Sequence, residues 1–212
     1  MKIADETTRK EDSRRKRSVH LIVKIFDVRA HFNENLKDVE KKFNLAQNTD
    51  SHSAKEIWRS QVVFLESAFD FYVHEVVKYG FLKIFNGDWE ETEKSKNFRV
   101  RFPLLMNMYK DAENAAQSLS DEIDFINGEN CFLGFDNMQA NLKMVGLNVD
   151  SKYKTFITEL YRRRNQIAHQ SDRSPGSAAK LSIQESDVKE YIKKVKEIVS
   201  SIDKQVKENN KR

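Results

Sequence analysis

The sequence is poor in the residues that punctuate a chain. Two Pro and six Gly in 212 residues are too few for an all-β or doubly wound protein, which would scatter turn signals along its length. The single cysteine, Cys131, cannot form an intramolecular disulfide, and with five scattered His it offers no zinc-ligand spacing. A reducing, cytoplasmic compartment is therefore expected. No apolar run approaches the ~18–20 residues of a membrane span. The N-terminus lacks the apolar region of a signal peptide, so neither secretion nor membrane insertion is expected. Charge of one sign is missing too: 37 basic against 33 acidic side chains balance too closely for net charge to announce a nucleic-acid partner.

Apolar material is plentiful. Hydrophobic residues make up 39% of the chain and include fourteen Phe, enough for a core despite a charged fraction of 33%. The length suits one elongated helical domain. Residues 1–12 show no periodicity and read as a flexible tail, residues 13–207 as one helical domain, and 208–212 as a charged C-terminal tail. The basic cluster Arg14-Arg15-Lys16-Arg17 fits a solvated tail or helix start as well as a phosphate contact.

Apolar spacing predicts the helices. Val19, Ile22, Val23, Phe26, Ala30, Leu36, Val39 and Phe43 recur at steps of three and four, predicting a helix over about 13–46. The polar run 47–53 reads as a loop that supplies N-cap candidates. Over 54–85, Trp58, Val62, Leu65, Phe69, Tyr72, Val73 and Val76 fall on one helix side at ~100° per residue. A second strip of Val63, Val77 and Phe81 carries Glu66, Asp70 and His74, so that side should face another helix, a partner subunit or a cleft. Residues 86–134 are weakly patterned. They hold a stop at Asn86-Gly87-Asp88, a helix over about 103–119 and a turn at Asn127-Gly128-Glu129-Asn130. A short helix over about 136–145 ends at Gly146, and Asp150 or Ser151 caps the next. Ser182-Ile-Gln-Glu185 fits a capping box for a last helix striped by Val188, Tyr191, Ile192, Val195, Ile198, Val199, Ile202 and Val206. The expected fold class is all-α, an antiparallel bundle of four or more long helices with a loop-rich insertion after the second.

One segment carries chemistry. In Tyr161-Arg-Arg-Arg-Asn-Gln-Ile-Ala-His169, Arg164 lies about 20° from the centre of the apolar stripe formed by Tyr153, Ile157, Leu160, Tyr161 and Ala168. Asn165 and His169 sit on its shoulder, at about 80° and 120°, where one ligand could touch all three. An inward-facing guanidinium needs a partner, an interface or a wet cleft. Histidine titrates near neutral pH, a guanidinium grips phosphate bidentately, and an amide orients either group. That set suffices for RNA cleavage through the ribose 2′-hydroxyl without a metal. The structural alternative is an Arg164 bonded to a helix-end carbonyl or to Asp70, with His169 merely ending the helix. For Asp70 and His74 the plain reading is a surface pair at i,i+4 spacing.

The run Arg164-Asn165-Gln-Ile-Ala-His169, preceded by Phe135-Asp-Asn-Met-Gln-Ala-Asn-Leu-Lys-Met-Val-Gly-Leu147 and followed by a turn and a long helix, resembles the HEPN superfamily. The likeness is greatest to the branch related to RiboL-PSP HEPN domains, over roughly 58–206. The resemblance implies a helical bundle that forms a homodimer with a composite active site, two copies of the motif facing each other across a cleft. It also implies a metal- and cofactor-independent endoribonuclease acting on RNA in a toxin–antitoxin or phage-defence setting, where an antitoxin or other regulatory protein would be a partner. Arg164, Asn165 and His169 match the family positions. Asp70, with Glu66 and His74 as alternates, is the candidate for the polar support that members carry on an earlier helix. Arg162, Arg163 and Arg173 would be flanking phosphate contacts. Some family toxins have a modifiable tyrosine two residues after the histidine; here Ser171 stands there, so control by that route is not expected. The rival reading is a non-catalytic helical module that binds RNA or a protein partner. No helix-turn-helix spacing supports a DNA-binding regulator.

Overall fold

The computed structural model describes residues 25–111, 114–129, 132–174, 176 and 178–211. The expected tail, the basic cluster at 14–17, the first turns of the predicted opening helix and Cys131 lie outside them. Among the described residues there are seven α-helices, in order α1 Ile25–Gln47, α2 Ser51–Phe85, α3 Phe102–Lys110, α4 Ala115–Glu129, α5 Phe135–Met144, α6 Lys154–Gln170 and α7 Glu185–Asn209. The described residues contain no named strand, only an isolated antiparallel bridge between Arg173 and Lys180. None of the described helices is long and apolar enough to cross a membrane.

The all-α expectation holds, and four long helices alternate in direction. The Asp50 side chain accepts from the backbone N–H groups of His52 and Ser53 at 2.9 and 3.1 Å. That cap starts α2 three residues before the predicted position. Arg29 pairs with Asp203 and Glu40 with Lys196, so α1 and α7 run antiparallel. Helix α2 is the hub, packing on α1, α4, α5, α6 and α7. Its predicted stripe is buried from Val62 to Val76, with Trp58 half-buried. The predicted second strip is covered as well: Val77 and Phe81 are buried and Val63 is half-buried. Gly80 lets α2 approach the end of α5, since a Cβ there would lie 2.5 Å from the Val145 Cβ.

The insertion after α2 carries α3, α4 and α5 joined by loops. Three expectations need correction. The single helix over 103–119 is two, broken at Asp111, whose side chain accepts from the Asn114 backbone N–H at 3.3 Å and its amide at 2.7 Å. Such local bonds compete with helix propagation. Helix α4 continues through the supposed turn to Glu129, because burial of Leu119 and Ile123 outweighs the roughly 1 kcal/mol helix penalty of Gly128. The last helix is capped by Gln184 with Asp187 as its reciprocal partner, not by Ser182 with Glu185. It runs to Asn209, and the Asn210 side-chain carbonyl accepts from Trp89 Nε1 at 2.9 Å and the Tyr79 hydroxyl at 3.2 Å.

Candidate functional site

Helix α6 carries the motif. Asp150 caps the 3-10 turn Ser151–Tyr153 that leads into it, accepting from the Lys152 N–H. Phe156, Ile157 and Leu160 anchor α6 in the core. Beyond them burial fades: Tyr161, Arg163, Arg164, Asn165, Gln166 and Ile167 are half-buried, while Ala168 and His169 are exposed. The expectation that Ala168 continues the buried stripe is therefore corrected. Ile167 in the last turn still packs against the core, so Ala168 and His169 are exposed because they lie on the outward side of that turn.

Arg164 turns inward onto α2. Its side chain is 25% exposed, and Nε lies 3.5 Å from Oε2 of Glu66, a carboxylate only 4% exposed. Among the described residues neither of those two atoms has a hydrogen-bond partner. The one side-chain hydrogen bond of Arg164 among the described residues runs from NH1 to the Asn165 Oδ1 at 3.0 Å. Glu66, rather than Asp70, is thus the α2 carboxylate within ion-pair distance of the motif arginine. Burial above all, and then the neighbouring Asp70 carboxylate, push the Glu66 carboxyl up to about 8, with Arg164 opposing. Glu66 is mostly protonated at neutral pH, so the arginine has no full counter-charge beside it.

One helical turn along α2, Asp70 Oδ1 lies 3.5 Å from the Nε2 of His74. The His74 ring stacks on Phe132 at 3.9 Å with 6° between planes. Glu66, Asp70 and His74 therefore form the polar row the sequence predicts, half-buried at Asp70 and His74. His169 stands apart. No hydrogen bond, ion pair or ring contact joins it to Arg164 or Asn165 among the described residues, so one chain brings together two of the three motif side chains and not the third.

The arginines beside the motif divide. Arg162 is exposed, its NH1 3.4 Å from the Gln166 Oε1. Arg173 donates through Nε to the Ala178 carbonyl at 2.8 Å. Arg163 departs from its expected role: its NH2 donates to the Asp172 carboxylate at 3.0 Å and to the Ser182 carbonyl at 2.8 Å, which ties it into the fold rather than freeing it for phosphate. The cause is Asp172, fully buried and needing counter-charge. Arg59 supplies the rest from α2, with Nε 2.6 Å from Asp172 and NH2 2.7 Å from the Leu181 carbonyl. Ser171 and Asp172 both adopt the left-handed conformation, at φ 50° and 59°. This ion triad fixes the turn three residues past His169, and sequence reasoning missed it. Two signals were available: an arginine one turn before Val62 on the core side of α2, and an Asp just past a helix end, where Asp tolerates positive φ.

Among the described residues no group of three or more His, Cys, Asp or Glu is placed to hold a metal ion. No curated protein and no solved structure matches the chain. The sequence profile of RiboL-PSP-HEPN matches residues 30–208, from the first turns of α1 almost to the end of α7. With the helical bundle described above, that match means the chain belongs to the RiboL-PSP-HEPN family.

Proposed function

We propose that the protein is an endoribonuclease that cleaves RNA through the ribose 2′-hydroxyl. Membership of the HEPN family points to RNA as the class of target. The observation that carries the finer reading is Arg164, a partly buried guanidinium with one neutral hydrogen-bond partner beside a carboxyl that is largely protonated at neutral pH. An arginine so placed is ready for an anion, and a bridging phosphate fits its planar fork. In the reaction the 2′-oxygen attacks the adjacent phosphorus and loses its proton as the new P–O bond forms. The bond to the 5′-oxygen breaks, and that oxygen takes up a proton. Products are a 2′,3′-cyclic phosphate and a free 5′-hydroxyl. His169, exposed at the end of α6, takes or gives the proton; Arg164 stabilises charge on the phosphate, and Asn165 orients Arg164.

These groups supply acid–base and electrostatic catalysis without a metal, and DNA, lacking the 2′-hydroxyl, resists. The working unit is a homodimer in which two motifs share one cleft, and a toxin or phage-defence role is the setting this activity suits. The test is cleavage of labelled RNA in EDTA by wild type, Arg164→Ala and His169→Ala. Each variant is expected to lose at least ~100-fold in rate with an unchanged melting temperature. Intact RNA with wild type at every concentration, or variants as active as wild type, defeats the proposal.

A further inference from the structure

Helix α7 has a second side that the motif does not use. Beside it lies a groove of about 990 Å³ whose walls include Phe43 of α1 and Tyr153 at the start of α6, with Lys189, Lys193, Lys196 and Lys204 along α7. The four lysines follow one helix face at steps of four, three and eight residues, so they span roughly 22 Å at 1.5 Å per residue. Glu40 and Glu197 are the acidic residues in the lining, leaving a surplus of positive charge. Lys196 pairs with Glu40 and Lys189 with Glu185. Such solvent-exposed pairs contribute ~0–1 kcal/mol each and yield readily to a phosphate. The groove's exposed surface is mainly apolar, and two aromatic rings flank it with a cation over each: Lys189 Nζ is 5.5 Å from the Phe43 ring centre and Lys152 Nζ 4.9 Å from that of Tyr153.

A row of cations along an apolar trough with aromatic walls is the chemistry of single-stranded nucleic acid, whose phosphates meet lysines while its bases stack on rings. The lysine row begins about one turn inside α7, and the segment leading into α7 is tied to the motif helix by the Arg163 bond to the Ser182 carbonyl. We propose that this groove binds the backbone of single-stranded RNA outside the cleavage site, holding long substrates whose scissile phosphate lies at the motif. The inference rests on the reading of the chain as an RNA-cleaving protein for the identity of its ligand, and on the groove for its place.

The test uses the full chain in two backgrounds. In the His169→Ala background, binding of a fluorescent 20-nucleotide single-stranded RNA is measured against salt, with and without Lys189→Ala, Lys193→Ala and Lys204→Ala together. The triple substitution is expected to weaken Kd at least tenfold. It should also lower the slope of log affinity against log salt by about 2, near 0.7 for each phosphate that no longer meets a lysine. The matching triple Lys→Arg variant should bind as the parent does. In the active background the same three alanines should slow cleavage of the 20-mer at limiting substrate and leave that of a tetranucleotide unchanged, the latter being too short to reach both places. Unchanged affinity and salt slope overturn the groove even where RNA is cut. So does a groove that ignores RNA but binds an oligoglutamate peptide through the same lysines. RNA bound through the lysines yet never cut by wild type defeats the nuclease reading and leaves the groove standing.

Discussion

Glu66→Gln separates what the buried carboxyl costs from what it does. The folded protein holds the Glu66 proton up to about pH 8, whereas the ordinary value is 4.5. Between those values the folded state keeps a proton that the unfolded chain has released, so the stability contribution of Glu66 is complete below pH 4.5 and is lost as pH rises towards 8. Each unit costs about 1.4 kcal/mol, so at pH 7 the loss is about 3 kcal/mol as an upper figure. A glutamine of the same shape does not titrate. The variant should melt with wild type near pH 4.5 and above it at pH 7, by up to roughly 6–12 °C at 2–4 °C per kcal/mol. Thermal melts across pH 4.5–8.5 measure the gap, and parallel curves for the two proteins refute the reasoning. Activity adds a second readout. Glutamine mimics the protonated acid, so RNA cleavage at pH 7 should survive. Above pH 8 the wild-type carboxylate forms beside Arg164 and competes with phosphate, whereas the variant escapes that loss.

Asp172→Ala should destabilise the chain by about 3–5 kcal/mol, because it leaves the guanidiniums of Arg59 and Arg163 buried without their shared anion; a chemical denaturation curve measures it, and a loss under 1 kcal/mol contradicts a buried triad. Gly80→Ala should cost about 1–3 kcal/mol by overpacking, since its methyl would meet the Val145 Cβ at 2.5 Å and the Trp89 ring at 3.0 Å. Adding Val145→Ala should recover part of that loss, and no recovery would place the strain elsewhere.

What could be read in the sequence was what repeats. The stripe of α7 is buried at Val188, Ile192, Val195, Ile198, Val199, Ile202 and Val206, because a long helix on one core face writes its period into the chain. The polar row of α2 was legible for the opposite reason, charge interrupting an otherwise apolar strip. Local competition was harder: Asp111 and Asn114 break a helix through side-chain bonds that no periodicity records. Helix α3 has Leu104 buried and Phe102, Leu105 and Tyr109 exposed, so its apolar residues do not define one face. The Arg59–Asp172 pair joins residues 113 positions apart, beyond any spacing argument. Arg163 then looked like its neighbour Arg162, although one lies in a buried triad and the other in solvent.

The same helix geometry bears on how many chains make the site. Arg164 and His169 are five residues apart, so on a regular α-helix their side chains leave the axis about 140° apart and roughly 7.5 Å along it. One faces α2 and Glu66, the other solvent. On a rigid helix, two groups on such different flanks cannot both grip one phosphate in line. In the homodimer proposed above a second copy would resolve this, with a two-fold axis beside the last turn of α6 setting the arginine of one chain against the histidine of the other. Mixing inactive Arg164→Ala with inactive His169→Ala then distinguishes the arrangements. Exchange of subunits makes about half of the dimers mixed, each with one intact arginine and one intact histidine in the shared cleft. Activity should return to about a quarter of wild type, since about half of the dimers carry one of the two Arg–His pairs, and should fall on dilution as dimers separate. If no activity returns at concentrations where wild type cuts, Arg164 and His169 act within one chain, and α6 must bend or unwind at its end to let them meet.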